Sequence, residues 1–218
     1  LRCSSWRCRL RWSAHRPRPQ NAISHETNIE LPDDYPCEPV GWADGVSKSN
    51  LALGSSMTGV VPIDRFLADD GVSNANVGHR KWMLNPTATA MGYGAAPARL
   101  PNPAFPDYVF HPTAALYVDD KASEVPAAET RDGFVAWPTK GWNVAETVAA
   151  RWSLTVADAP GQTTVFSGAG AAHVTVTSDG APVALRQMDC DGDGTLDGPY
   201  CVSSKAYGAA HVTFTPDR

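Results

Sequence analysis

Apolar and polar positions along this chain change over in short runs, and two stretches show a helical rhythm. In "VVPIDRFLADDG", residues 60–71, Ile63, Phe66 and Leu67 share one face at helical spacing. Pro62 suits the first turn, where its missing N–H costs nothing, and Gly71 is placed to end the helix. "GHRKWML", 78–84, predicts another helical turn, ended before Pro86 because the residue preceding a proline is pushed out of the helical region. "ATAMGYGAA" (88–96) and "YVFHPTAALYV" (108–118) read as strands, with the Pro-rich loop "PARLPNPAFP" between them and a polar loop over 119–133. From about Phe134 the pattern turns to β: "FVAWP", "RWSLTVA", "TTVFSG", "HVTVTSDG", "VALRQM" and "HVTFTP" are β-branched or aromatic runs separated by turn residues. Such spacing predicts a small antiparallel sandwich. The division expected is therefore an anomalous segment 1–20, an α+β part over 21–133 and a β-rich part over 134–218.

Composition narrows the class. With 43% apolar and 19% charged residues in 218, the chain is long enough for a cored domain and is not of a disordered type. Eighteen Gly and eighteen Pro favour loops and short strands over long helices. A net charge of -5 argues against nucleic acid as a partner, and no apolar run reaches the roughly 18 residues of a transmembrane helix. Few lysines beside many Thr, Ala, Gly and Asp suggest an exported bacterial protein, secreted or held at the cell envelope. No signal peptide is visible, which reads as a mature or truncated form. Residues 1–20, "LRCSSWRCRLRWSAHRPRPQ", hold six arginines and no carboxylate, and lack either periodicity. They read as a disordered or wrongly joined start rather than a basic arm or targeting peptide.

The sharpest local signal is "DCDGDGTLDG", 189–198. Asp189, Asp191 and Asp193 take positions one, three and five of a calcium loop, Gly194 the sharp turn at six, the Thr195 carbonyl position seven and Asp197 position nine. Tyr200 stands where an EF-hand has its bidentate glutamate, and no helices flank the stretch, so the expectation is a weak calcium site of extracellular type. Cys190 and Cys201 bracket the loop at a spacing that a disulfide can close, while Cys37 is left without an obvious partner.

Four stretches in order carry a family resemblance: "NAISHE" (21–26), "SNLALGSS" (49–56), "FLADDG" (66–71) and "VGHRKWMLNPTATAMGYG" (77–94). Together they resemble the CAP superfamily of cysteine-rich secretory, antigen 5 and pathogenesis-related proteins, in particular its bacterial secreted branch. The resemblance implies an α-β-α sandwich, here followed by a β-rich antiparallel C-terminal part, with a cavity lined by two histidines and two acidic residues. Carried over by position, His25 and His79 match the histidines and Asp69, three after Phe66, one acidic residue; Ser49 stands where the other acid is expected. Two imidazoles and a carboxylate still suffice for zinc or another divalent metal with an open water position.

The reading is a secreted CAP-like binding protein, more binder than enzyme, with a His-lined cavity for a metal ion, small molecule or lipid and a calcium-stabilised C-terminal loop. The alternatives are a metal-dependent hydrolase or peptidase working through a metal-bound water, and a calcium-dependent adhesion or glycan-binding module. No GxSxG elbow supports a serine hydrolase. Trp137, Trp142 and Trp152 are expected to cap a core rather than stack on sugars, and His173 and His211, at the starts of β runs, to face solvent.

Overall fold

The structure is a computed structural model and describes residues 25, 45, 47–54, 57, 59–71, 74–85, 88, 90–96, 112–118, 134–157, 172–203 and 209–217. The segment 1–20, the run "TTVFSG", the loops 97–106 and 119–133, and His111 and Cys37 lie outside them. In chain order the elements are β1 (Ser49–Leu53), α1 (Val61–Ala68), α2 (Gly78–Met83), β2 (Met91–Ala96), β3 (Thr113–Val118), β4 (Val135–Trp137), a 3-10 turn (Ala145–Thr147), β5 (Trp152–Ala157), β6 (Val176–Ser178), β7 (Ala181–Val183), β8 (Tyr200–Ser203) and β9 (Ala209–Phe214).

This corrects the expected fold class. The described residues form mostly antiparallel strands with two short α-helices, not an α-β-α sandwich. The reason is local. A helix of 8 residues and one of 6 are each too short to form a layer over a sheet; left-handed Asp69 ends the first, and left-handed Val77 stands immediately before the second. Asp69, at φ 49°, ends α1 two residues before Gly71, the expected stop.

Two compact units divide the chain, 1–64 with 90–120 and 65–89 with 121–218. The first holds an antiparallel sheet in the order β1-β3-β2, with Leu51 opposite Ala115 and Gly94 opposite Ala115 from the other side. Central β3 buries Thr113 to Leu116 without interruption, as a strand covered on both faces must. β1 was not expected as a strand. It buries Ser49, whose hydroxyl donates to the Gly45 carbonyl.

The second unit is built on a four-stranded antiparallel sheet, β4-β5-β9-β8, and a small hairpin, β6-β7. Asp179-Gly180 turns the hairpin, both at positive φ, as the right-handed strand twist favours. In the main sheet Thr155 pairs with His211 and Ser153 with Thr213, so one face presents Ser153, Thr155, His211 and Thr213, all buried. The segment around α2 lies over this polar face: Thr213 donates to the Ala75 carbonyl at 2.8 Å and Arg80 reaches Ser153 Oγ. His211 is 1% exposed, against the expectation that it faces solvent. In "HVTFT" both alternating sets contain residues that fit a core, so the pattern alone does not fix which faces inward. His173 is exposed.

Candidate functional site

The acidic loop is closed at its base by two backbone bonds: Met188 N–H donates to the Gly198 carbonyl and Asp197 N–H to the Met188 carbonyl, each at 2.8 Å. Gly192 and Gly194 stand at φ 83° and 90°, backbone that a side chain disfavours and that lets the chain fold back on itself. The loop's own amides then point at its carboxylates. Asp189 accepts from Gly192 N–H and Gly194 N–H on its two oxygens, at 2.7 and 2.9 Å. Asp191 accepts from Asp193 N–H, Asp193 from Thr195 N–H, and Asp197 from Cys190 N–H. The Gly192 and Gly194 amides hold the Asp189 carboxyl below the usual carboxylate range. Oxygen atoms of Asp189, Asp191 and Asp197 lie within 4.8 Å of one another, so this group can hold a metal ion. Asp193, placed by sequence in the same set, is not in that group. All the donors are hard oxygens, the set that divalent cations such as calcium and magnesium take.

A disulfide joins Cys190, between the first two ligand residues, to Cys201 in β8, with the Cα atoms 5.4 Å apart. Cys201 is buried with Ala75 and Met188, and Cys190 packs against that cluster. Asn76 Nδ2 donates to the Cys190 carbonyl at 3.2 Å. The loop is thus fixed to the body of its unit at both the sulfur and the backbone.

Of the residues expected to line a cavity, the structure brings together Asp69 and His79. His79 Nδ1 lies 2.8 Å from Asp69 Oδ1, and the His79 ring tilts over Phe66 with centroids 5.1 Å apart. Asp69 also accepts from Asn74 Nδ2 and from the Arg80 amide, so its two oxygens serve three donors. The contact with the Arg80 amide explains its place. Arg80 N–H belongs to the open first turn of α2, and Gly78 N–H in the same turn is taken by Asn74 Oδ1. His25 is exposed and belongs to the first unit, whereas Asp69 and His79 belong to the second.

The residue that organises this region, Arg80, is not singled out by the sequence pattern. Arg80 is fully buried; its guanidinium donates to the carbonyls of Leu67 and Ala68, the open C-terminal end of α1, and to the Arg151 carbonyl just before β5. Burial lowers its pKa to about 10, with Asp69 and Asp70 opposing the shift. Next to it Lys81 is also buried and is pushed down to about 8 for the same reason. Beneath them His211 Nδ1 pairs with Thr155 Oγ1 at 2.7 Å. Its pKa falls to about 2, through burial first and then the Lys81 and Arg80 charges. The only hint in the sequence was a basic pair inside an otherwise apolar helical turn, which reads equally as a solvated edge.

The chain matches no family model, no curated protein and no solved structure.

Proposed function

We propose that this chain is an exported binding protein whose acidic loop takes a calcium ion. One observation carries the reading: three carboxylates, Asp189, Asp191 and Asp197, within 4.8 Å on a single tight loop. Unscreened, those charges repel one another, and a divalent cation relieves that repulsion directly. The Cys190–Cys201 disulfide supports export, since such bonds persist in oxidising compartments. The cation is assigned to this loop rather than to Asp69 and His79, because Asp69 already serves three internal donors. Nor does the reading draw on the resemblance of residues 20–95 to the CAP superfamily, whose sandwich the described residues do not form. With no bidentate glutamate, affinity belongs in the range of extracellular modules, a Kd of roughly 10⁻⁴–10⁻³ M. Calorimetric titration of calcium into the chelator-treated protein tests it, with Asp191→Ala as control. Saturable heat that Asp191→Ala abolishes is the expected result; no heat and no calcium-dependent change in Tm would remove the assignment.

A second reading, calcium-dependent attachment to glycans, is favoured by Trp142. Expected to cap a core, it is instead 103% exposed. Asn143 fixes its loop by donating from Nδ2 to the carbonyls of Thr139 and Gly141. Beside the loop is an open groove of about 520 Å³ walled by Trp137, Trp152 and Phe214. A fully exposed indole on a braced loop suits stacking on a sugar ring. Glycan-array binding that needs calcium and is lost in Trp142→Ala would favour this reading over a purely structural ion.

A further inference from the structure

Between the acidic loop and the Arg151 backbone lies an open cleft of about 380 Å³, within the size range of small-ligand sites. Its floor is apolar, from Ala75 and Met188, 4% and 6% exposed, with Leu196 at the border. Its walls carry both signs of charge, from Arg151, Arg186, Asp70 and Asp189. Much of that charge is already committed. Asp189 holds two backbone amides, and Arg151 gives Nη1 to the carbonyls of Gly71 and Asn74. Arg186 gives only Nε, to Asp217 at 3.0 Å, both side chains being more than half exposed. Among the described residues, the Arg186 Nη atoms, Arg151 Nη2 and the Asp70 carboxylate meet no hydrogen-bond partner. Burial lowers the pKa of Arg151, and the charges of Asp69 and Asp70 oppose that shift, so Asp70 and Arg151 act on one another as opposite charges lining the same cleft.

We propose that this cleft binds a small zwitterion with an apolar side chain, an α-amino acid or short peptide of that kind. Its carboxylate sits on Arg186 and Arg151, and its ammonium on Asp70. The fork of a guanidinium matches a carboxylate in geometry as well as charge. A plain anion would set its charge against Asp70, and a plain cation would meet two guanidinium groups; a zwitterion answers both, and the apolar floor takes the side chain. This inference does not depend on the cation reading of the loop, and its test runs in excess chelator so that loop occupancy plays no part.

The experiment titrates leucine, N-acetyl-leucine and leucinamide separately into the full chain by calorimetry. Arg186→Gln and Asp70→Asn, both at exposed positions, are tested in parallel, with thermal melts to show that each is folded. Leucine is expected to bind about tenfold more tightly than either blocked form. Arg186→Gln should weaken leucine and N-acetyl-leucine together, by about tenfold, while Asp70→Asn weakens leucine and leaves N-acetyl-leucine unchanged. Absence of saturable heat with all three probes overturns the proposal, as does leucine binding that both variants leave intact or that falls equally for all probes in Asp70→Asn.

Discussion

Asp69 Oδ1 and His79 Nδ1 stand 2.8 Å apart, but the two side chains differ in depth: the carboxylate is 4% exposed and the imidazole 36%. A carboxylate only accepts, so Nδ1 carries the hydrogen. The weight of the arrangement falls on the acid, which also takes up Asn74 Nδ2 and the Arg80 amide and offsets the Arg80 charge. Asp69→Ala is expected to destabilise by roughly 3–5 kcal/mol, because it strands a buried cation and opens the first turn of α2. His79→Ala, which removes one half-exposed partner, should cost about 1 kcal/mol or less. Urea unfolding of the two variants checks the contrast; equal losses would mean that the pair acts as a unit and that the acid has no separate structural role.

Arg80 tests the same region from the other side. Its guanidinium spans carbonyls at the end of α1 and before β5, from several nitrogens at once. A lysine keeps the charge but not the fork. Arg80→Lys should therefore cost roughly 2–4 kcal/mol, since one ammonium cannot satisfy three separated acceptors and buried carbonyls are left unpaired. A loss below about 1 kcal/mol would show that water replaces the missing donors.

How far these features could be read from the sequence depends on whether the signal was local. The acidic loop was legible because alternation and glycine placement within ten residues dictate it, and Asp189, Asp191 and Asp197 do come together. The Cys190–Cys201 bond was legible from its spacing across that loop. Strands β2, β3, β4, β5 and β9 fall within runs marked by β-branched or aromatic residues, whereas β1 has neither kind and β8, of 4 residues, has only Tyr200 and Val202 to mark it. The α-β-α layering rested on resemblance and required helices that the chain ends at Asp69 and Met83. Burial of Arg80, Lys81 and His211 was not legible. It follows from pairing Thr155 with His211 across strands 56 residues apart and from the α2 segment covering that face, neither of which leaves a local trace.

His211 makes stability depend on pH. Its folded-state pKa lies near 2, against an ordinary value of 6.5, so the folded protein keeps the ring neutral where the unfolded chain protonates it. Above pH 6.5 both states are neutral at this position and the group has no effect. Below it the unfolded state binds the extra proton, and stability falls by up to about 1.4 kcal/mol per pH unit. Between pH 6.5 and 4.5 the loss attributable to His211 should be roughly 2 kcal/mol. His211→Val, which puts an apolar β-branched residue at this core position of β9, should flatten the profile over that window. Parallel profiles for the two proteins would show that the folded state admits the proton, by opening or by moving Lys81 and Arg80 away.

The disulfide yields the remaining prediction. Closing a loop of 11 positions restricts the unfolded chain, an effect of roughly 3 kcal/mol in the chain-entropy account. Two features of the folded state bear on whether that amount is realised. The base of the loop is already closed by Met188, Asp197 and Gly198, so the native hairpin does not need the bond to form. Cys201 is nevertheless buried among apolar neighbours, so a polar replacement there would add a desolvation cost unrelated to the cross-link. The clean comparison is therefore the double variant Cys190→Ala with Cys201→Ala against the oxidised protein, both unfolded in guanidinium without reductant. A drop of roughly 2–4 kcal/mol, with the β-sheet spectrum retained, is the expected outcome. An unchanged midpoint would mean that the unfolded chain is already constrained near this loop, so that the bond removes no freedom the chain still had.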